Sequence, residues 1–234
     1  MSSPSLDLRP IANRALDLIP EGATVGLGTG RAATAFIRTL GDRVSQGFRV
    51  RGVATSEVSA ALARSLNIPL VGLDEAGTLD FDVDGADEVD PQGNLIKGLG
   101  GALLREKIIA AASRQFVILV GAEKLVPVLG TRAPLPIEVV PFGAGFCQRQ
   151  LARLGLASQI REVDGRPFVT DNGNSILDCQ IGPLDRPAEF EQRILSIPAV
   201  IDTGLFLGMA RTVLIQHEDG VEVRECFSPH APCV

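Results

Sequence analysis

The 234-residue sequence has no tryptophan and no tyrosine, only two histidines, four cysteines, and lysine at just three positions, 97, 107 and 124. Without Trp or Tyr to stack on bases, and with a net charge of −6 from 22 basic and 28 acidic residues, a nucleic-acid partner is not expected. The cysteines, Cys147, Cys179, Cys226 and Cys233, form no CxxC pair and no zinc spacing, and only His217 and His230 could add nitrogen ligands. Neither a zinc site nor a disulfide framework is therefore expected. No run of about 18 uninterrupted apolar residues occurs, and the opening MSSPSLDLRPIANRAL lacks the charged-then-apolar layout of a secretory signal. The expectation is a cytosolic protein with no membrane partner.

Apolar residues make up 45% of the chain, ample for a packed core. Its first half alternates strand and helix signals, starting with a short apolar strand at 23–27 that runs into GLGTGRA and then a helix over 33–40. A second strand covers 48–54, and Ser56 is placed to cap a helix running to Leu66. Further strands are expected at 70–73, 81–84 and 116–120, with a helix over 102–112. Such alternation implies βαβ units and a Rossmann-like, mostly parallel sheet. Past about residue 130 the texture changes to a β-α-β-β-α-β order, with turns at Asp164-Gly165 and Asp171-Asn172-Gly173-Asn174. The expected class is α/β, with residues 1–129 plus 204–234 as the larger domain and 130–203 as a smaller, ferredoxin-like α+β domain. The tail over 212–226 reads as a hairpin that returns to the first sheet.

Three segments carry chemistry. GLGTGRA follows a strand and opens a helix, an arrangement that offers free backbone amides and the positive end of a helix dipole to an anion. It is no dinucleotide fingerprint, because the last glycine of G-x-G-x-x-G would fall on Arg31, and no Gly-Lys-Ser/Thr follows it. A phosphate monoester or a carboxylate fits, as does a tight turn with no ligand. Asp80-Phe81-Asp82-Val83-Asp84-Gly85 has the opening of a calcium loop, but the twelfth position, which must be a bidentate acid, is Pro91. The Phe/Val alternation instead makes a strand with Asp84 at its end and Asp87 just beyond, where open α/β sheets bind ligands. Lys97, the run Gly98-Leu99-Gly100-Gly101 and the helix carrying Arg105, Glu106 and Lys107 come third. A carboxylate one turn into that helix, beside an ammonium, suits proton abstraction next to a carbonyl. Taken alone, Glu106 fits a surface ion pair with its neighbours better; set inside this block, it fits the catalytic role.

DGADEVD, LIKGLGGALLREKIIA, GLGTGRAA, AEKLVPVLG, PLPIEVVPF, VTDNGNSILD and GLF together resemble ribose-5-phosphate isomerase of the type A family, over residues 12–216. The resemblance implies a large α/β domain with a smaller inserted one, a dimer or tetramer of identical chains, and neither metal nor cofactor. It also implies interconversion of D-ribose 5-phosphate and D-ribulose 5-phosphate through an enediol, in the non-oxidative branch of the pentose phosphate pathway. Residue by residue, it puts the catalytic base on Glu106, and on Asp84 and Asp87 the acidic pair that holds sugar hydroxyls and helps to open the ring, with Gly85 and Ala86 between them. Lys97 falls on the lysine at the substrate, Gly98, Leu99 and Gly100 on its loop, and Lys124 on a second substrate lysine. Thr29, Gly30, Arg31 and Ala32 fall on the first substrate loop.

The chain departs from the family pattern at several of these positions. Arg31 and Ala32 replace the two hydroxyl residues of the usual GTGST, which removes two hydrogen-bond donors and adds a guanidinium suited to phosphate oxygens. Leu99 stands where glycine is usual, Gly121-Ala122-Glu123-Lys124 replaces the usual D-x-S-K, and Leu8 or Arg9 falls near a lysine of some members. Two other readings stay open. A non-catalytic sugar-phosphate sensor would need a DNA-binding helix-turn-helix, for which the chain has neither spare length nor basic surface. An isomerase of another phosphorylated sugar is compatible with Arg31, Ala32 and Leu99.

Overall fold

The computed structural model describes residues 7–226, which divide into two compact units. The first runs up to Gly85 and adds Ile108–Lys124 and the stretch from Met209; the second comprises Ala86–Lys107 and Leu125–Gly208. Among the described residues no helix is long and apolar enough to cross a membrane.

The first unit is built on a six-stranded sheet in the order Val221–Glu225, Thr212–Gln216, Ser113–Gly121, Leu79–Gly85, Thr24–Leu27, Arg51–Ala54. Every neighbouring pair is parallel except the edge hairpin of Thr212–Gln216 with Val221–Glu225, which is the returning tail hairpin expected from the sequence. Strands covered on both faces read as continuous apolar runs, and Thr24–Leu27 and residues 116–121 are buried throughout. On one face the helices Arg9–Leu16 and Arg31–Ser45 pack together, bringing Ile11, Ala15, Phe36, Ile37 and Leu40 onto Val25, Leu27, Val83 and Leu214. A smaller cluster joins Val53, Leu79 and Ile109 with Leu73 and Ala76.

Ser56 is the helix cap expected from the sequence: its hydroxyl accepts the Ser59 amide at 3.1 Å at the head of Glu57–Ser65. The strand expected at 70–73 is not formed. Leu70 makes a single parallel bridge to Gly52, and Leu73–Ala76 is one helical turn. Pro69 lacks the amide that a ladder needs, and Asp74 and Glu75 favour the first turn of a helix.

In the second unit the strands Val200–Thr203, Leu135–Val139, Ser175–Gln180 and Ala157–Ile160 form an antiparallel sheet in that spatial order, or 4-1-3-2 by sequence. The helices Ala144–Arg153 and Pro187–Leu195 cover it, with Cys147, Leu151 and Ile194 packed on Ile137, Val139 and Leu177. This is the split βαβ order expected for 130–203. The unit is drawn more widely than that span, because Glu88–Val89 and Leu95–Ile96 form a hairpin whose second strand pairs with Leu205–Phe206. The buried Glu88 carboxylate ties this hairpin to the rest by accepting the amides of Gly130, Arg132 and Ala133 at 2.5–2.7 Å. The acidic and glycine-rich block therefore divides after Gly85.

Candidate active site

In the first unit the parallel register sets Leu27 beside Val83 and Gly85 beside Leu119, so three strands present their carboxyl ends on one edge of the sheet. From that edge Gly28, Thr29 and Gly30 lead into the Arg31–Ser45 helix. Asp84, fully buried, folds its carboxylate over this turn: Oδ1 accepts the amides of Thr29 at 3.0 Å and Gly85 at 2.7 Å. A Cβ at position 28 would lie 2.2 Å from the Asp84 Cγ, so the close approach requires glycine. Gly30 has φ 101° and opens the helix without a side-chain cap, leaving the first-turn amides aimed outward, with Arg31 exposed and Ala32 half-buried behind it.

The Thr29 hydroxyl turns inward. It donates to Ser56 Oγ at 2.7 Å and lies 2.8 Å from Thr55 Oγ1, both buried; Ser59 in turn donates to the Gly28 carbonyl at 2.6 Å. Sequence reading gave Thr29 a substrate contact, but its hydroxyl is engaged in holding the turn. Lys124 ends a short 3-10 turn directly after Ser113–Gly121, on the same strand-end edge, and Glu123 folds back over Gly121. Asp80 is a strand residue whose carboxylate accepts the Thr24 amide at 2.9 Å and pairs with Arg114 at 3.4 Å. Among the described residues no group of three His, Cys, Asp or Glu side chains could hold a metal ion.

In the second unit Lys97 and Glu106 are both almost fully buried, with Lys97 Nζ 3.3 Å from Glu106 Oε2. Glu106 is the fourth residue of the Leu103–Ala111 helix, so the solvated surface pair that the sequence also allowed is not what forms. Two charges out of water are stable only when matched, and here each matches the other. The connecting loop needs glycine at two places: Gly98 has φ 108° with Leu103 against it, and Gly101 has φ 84° under the Phe168 ring, 2.4 Å from where a Cβ would stand. Asp87 Oδ2 accepts the Leu99 amide at 3.1 Å, while Leu99 itself is 44% exposed. Asp87, Lys97, Leu99 and Glu106 are thus brought together around one loop.

The residues that hold this loop and helix were missed by sequence reasoning. Lys107 binds Asp202 at 2.5 Å, the Thr203 carbonyl at 2.8 Å and Glu191 at 3.3 Å. The buried Phe206 ring has Lys97 on it at 5.4 Å and Lys107 at 5.1 Å, separating the two ion pairs. Arg105 reaches the turn at Asp171 and Asn172, which Glu138 shapes by accepting from Thr170, Asn172 and Asn174. Arg161 donates to the Gly98 carbonyl at 2.8 Å and the Leu99 carbonyl at 3.1 Å. Arg105 and Lys107 lie close after the loop and stood out in the sequence, but their partners, together with Arg161, Glu138 and Phe206, lie tens of residues away, and nothing in the sequence said what either cation binds.

The chain as a whole is similar to known proteins. The sequence profile of ribose 5-phosphate isomerase A (phosphoriboisomerase A) matches residues 51–220. The ribose-5-phosphate isomerase A of Roseiflexus castenholzii is 50% identical over 221 residues, covering 93% of this chain and 94% of that protein. That of Gloeobacter violaceus is also 50% identical, over 213 residues and 91% and 93% of the two chains. Among solved structures, ribose 5-phosphate isomerase A from Methanocaldococcus jannaschii superimposes with a TM-score of 0.88 at 38% identity, over 93% of this chain and 97% of that one. A D-ribose-5-phosphate isomerase in complex with phospho-erythronic acid gives 0.90 at 37% identity, with the same coverage.

Proposed function

The chain belongs to the ribose 5-phosphate isomerase A family and is an isomerase of D-ribose 5-phosphate and D-ribulose 5-phosphate, and from that premise we propose that Glu106 is the base that moves the proton. In the opened aldose, Glu106 takes the proton from C2 and returns it to C1, while a second proton passes from the C2 hydroxyl to the C1 oxygen. The enediol between these transfers carries developing charge on oxygen, and the Lys97 ammonium is the group suited to stabilise it. Asp87 and Asp84 hold sugar hydroxyls, assist ring opening and carry the hydroxyl protons. Gly85, Ala86, Gly98, Leu99 and Gly100 supply backbone around the sugar. The first-turn amides at Gly30, Arg31 and Ala32, with Lys124, take the phosphate, and Thr29 serves by shaping that turn.

One observation carries this reading. A nearly fully buried carboxylate stands 3.3 Å from an equally buried ammonium, beside a loop whose two positive-φ glycines let it turn closely against Leu103 and Phe168. Replacing Glu106 by Gln keeps the shape and removes the base. Assayed on ribose 5-phosphate in the presence of a chelator, E106Q should lose roughly 10² to 10⁴ in kcat with KM little changed. Full activity in a folded E106Q protein would remove Glu106 as the base.

The same proposal includes a cytoplasmic homo-oligomer, dimer or tetramer, working in the non-oxidative pentose phosphate branch. Self-association is supported by the second unit's Phe142, wholly exposed, with Val140 and Phe146 partly exposed nearby in sequence. Light scattering should then give a multiple of the 24.7 kDa chain mass, and the monomer mass at micromolar concentration would count against it.

A further inference from the structure

Arg161 follows the Ala157–Ile160 strand and is anchored on the sheet, its amide bonded to the Ile176 carbonyl at 2.8 Å. Its guanidinium grips Asp178, on the neighbouring Ser175–Gln180 strand, through both Nε and Nη2. The Arg161 side chain is 11% exposed, so this is a largely desolvated fork on a carboxylate rather than a loose surface pair. The remaining nitrogen, Nη1, reaches the carbonyls of Gly98 and Leu99.

Gly98 O and Leu99 N belong to the same peptide group. Its carbonyl end faces the Arg161 cation at 2.8 Å, and its amide end faces the Asp87 carboxylate at 3.1 Å. A peptide between a donor cation and an acceptor anion is polarised in one sense by both, and each bond strengthens the other. A flipped peptide would turn its carbonyl toward Asp87. Gly98, at φ 108°, sits in a region of backbone freedom that does nothing to prevent such a flip. Within the loop the Gly101 amide donates to the Gly98 carbonyl at 3.0 Å, and from outside it Arg161 adds the charged anchor that reaches both the Gly98 and the Leu99 carbonyls.

We propose that Arg161, held by Asp178, is a positioning residue for the isomerisation: it fixes the 98–99 peptide and through it the Asp87 carboxylate that receives the sugar. This rests on the reading, given above, that Asp87 and the 98–100 loop contact the sugar. Lysine cannot substitute, since a point ammonium cannot hold both Asp178 oxygens and the loop carbonyls together.

The test is a double-mutant cycle on ribose 5-phosphate with R161M, D87N and the pair, each first checked for a cooperative thermal transition. Arg161→Met should raise KM about tenfold with kcat within about threefold, because binding to ground and transition state is lost alike. Its effect on kcat/KM should largely vanish in the D87N background, as expected of groups acting through one another. D178N and R161K keep most of the packing and should show the same KM rise in smaller measure, which keeps the test open if R161M does not fold. A purely structural role would lower the active fraction, reducing kcat at constant KM and adding to the D87N loss; that result would overturn the inference. Damage in D87N beside unaltered kinetics in R161M, R161K and D178N would also overturn it while leaving Asp87 at the sugar. Unaltered kinetics in D87N would withdraw Asp87 itself, and the inference with it.

Discussion

The two glycine loops do similar work by opposite means. The loop at 28–30 is held by neutral groups and one carboxylate: Thr29, Thr55, Ser56 and Ser59 share hydroxyl bonds, and Asp84 takes two backbone amides. These bonds themselves use hydroxyls, amides and a carboxylate, and the helix start and the exposed Arg31 stay available to an anion. The loop at 98–101 is held by charges. Lys97 faces Glu106, Arg161 faces Asp178, and Lys107, on the helix that follows, faces Asp202 and Glu191. A phosphate needs only a fixed array of donors, which hydroxyls can brace. A proton-transfer base needs a set charge environment, which only matched ions can hold in a buried place.

That contrast can be broken from either side. The largest loss is expected in the charged loop. Lys97→Met leaves the Glu106 carboxylate buried without its ammonium, and removing one partner of a buried pair costs about 3–5 kcal/mol. Urea unfolding should show that drop, together with a fall in kcat. Gly28→Ala attacks the neutral loop by forcing a methyl against Asp84, and overpacking of this kind costs about 1–3 kcal/mol. Its unfolding midpoint should move less than that of Lys97→Met, while its KM for ribose 5-phosphate rises. If Gly28→Ala proves the more destabilising of the two, hydroxyl bracing is the stiffer device and the contrast is reversed.

The same division decides what was legible in the sequence. The first loop is read from local signals: a strand, glycines at a turn, a helix start, and Ser56 as a cap. Even the Asp84 contact follows from parallel strands ending on one edge. The second loop shows its own residues clearly, Lys97 and Glu106 above all, but not its supports. Arg161, Phe168, Glu191 and Asp202 lie 62 or more residues from Leu99, in a stretch with no periodic link to it. Long-range ion pairs leave no spacing in a sequence, because only the folded register sets their distance. The failed strand at 70–73 has the reverse cause, a local apolar run overruled by Pro69 and by the acidic turn that follows. Thr29 was placed in the substrate loop by the family resemblance alone, and its hydroxyl bonds with Thr55 and Ser56 depend on a strand end that no local pattern ties to it.

Arg31 gives the smallest expected effect and the finest measure of the contrast. It is exposed at the first position of a helix whose opening amides carry no side-chain cap, where the family pattern has a hydroxyl residue. If the neutral loop leaves its charge for the ligand, Arg31 adds one charge-assisted contact in water, where screening keeps such contacts modest. Arg31→Ala should then raise KM about two- to tenfold with kcat unchanged, the size of one net hydrogen bond. The increase should shrink as ionic strength rises, because an exposed guanidinium is screened over about 10 Å at 0.1 M salt. Arg31→Ser, which restores the hydroxyl common at this position, should recover part of the affinity and lose the salt dependence. An Arg31→Ala KM equal to that of the unaltered protein at low salt would remove Arg31 from the phosphate and leave that grip to the helix amides and Lys124.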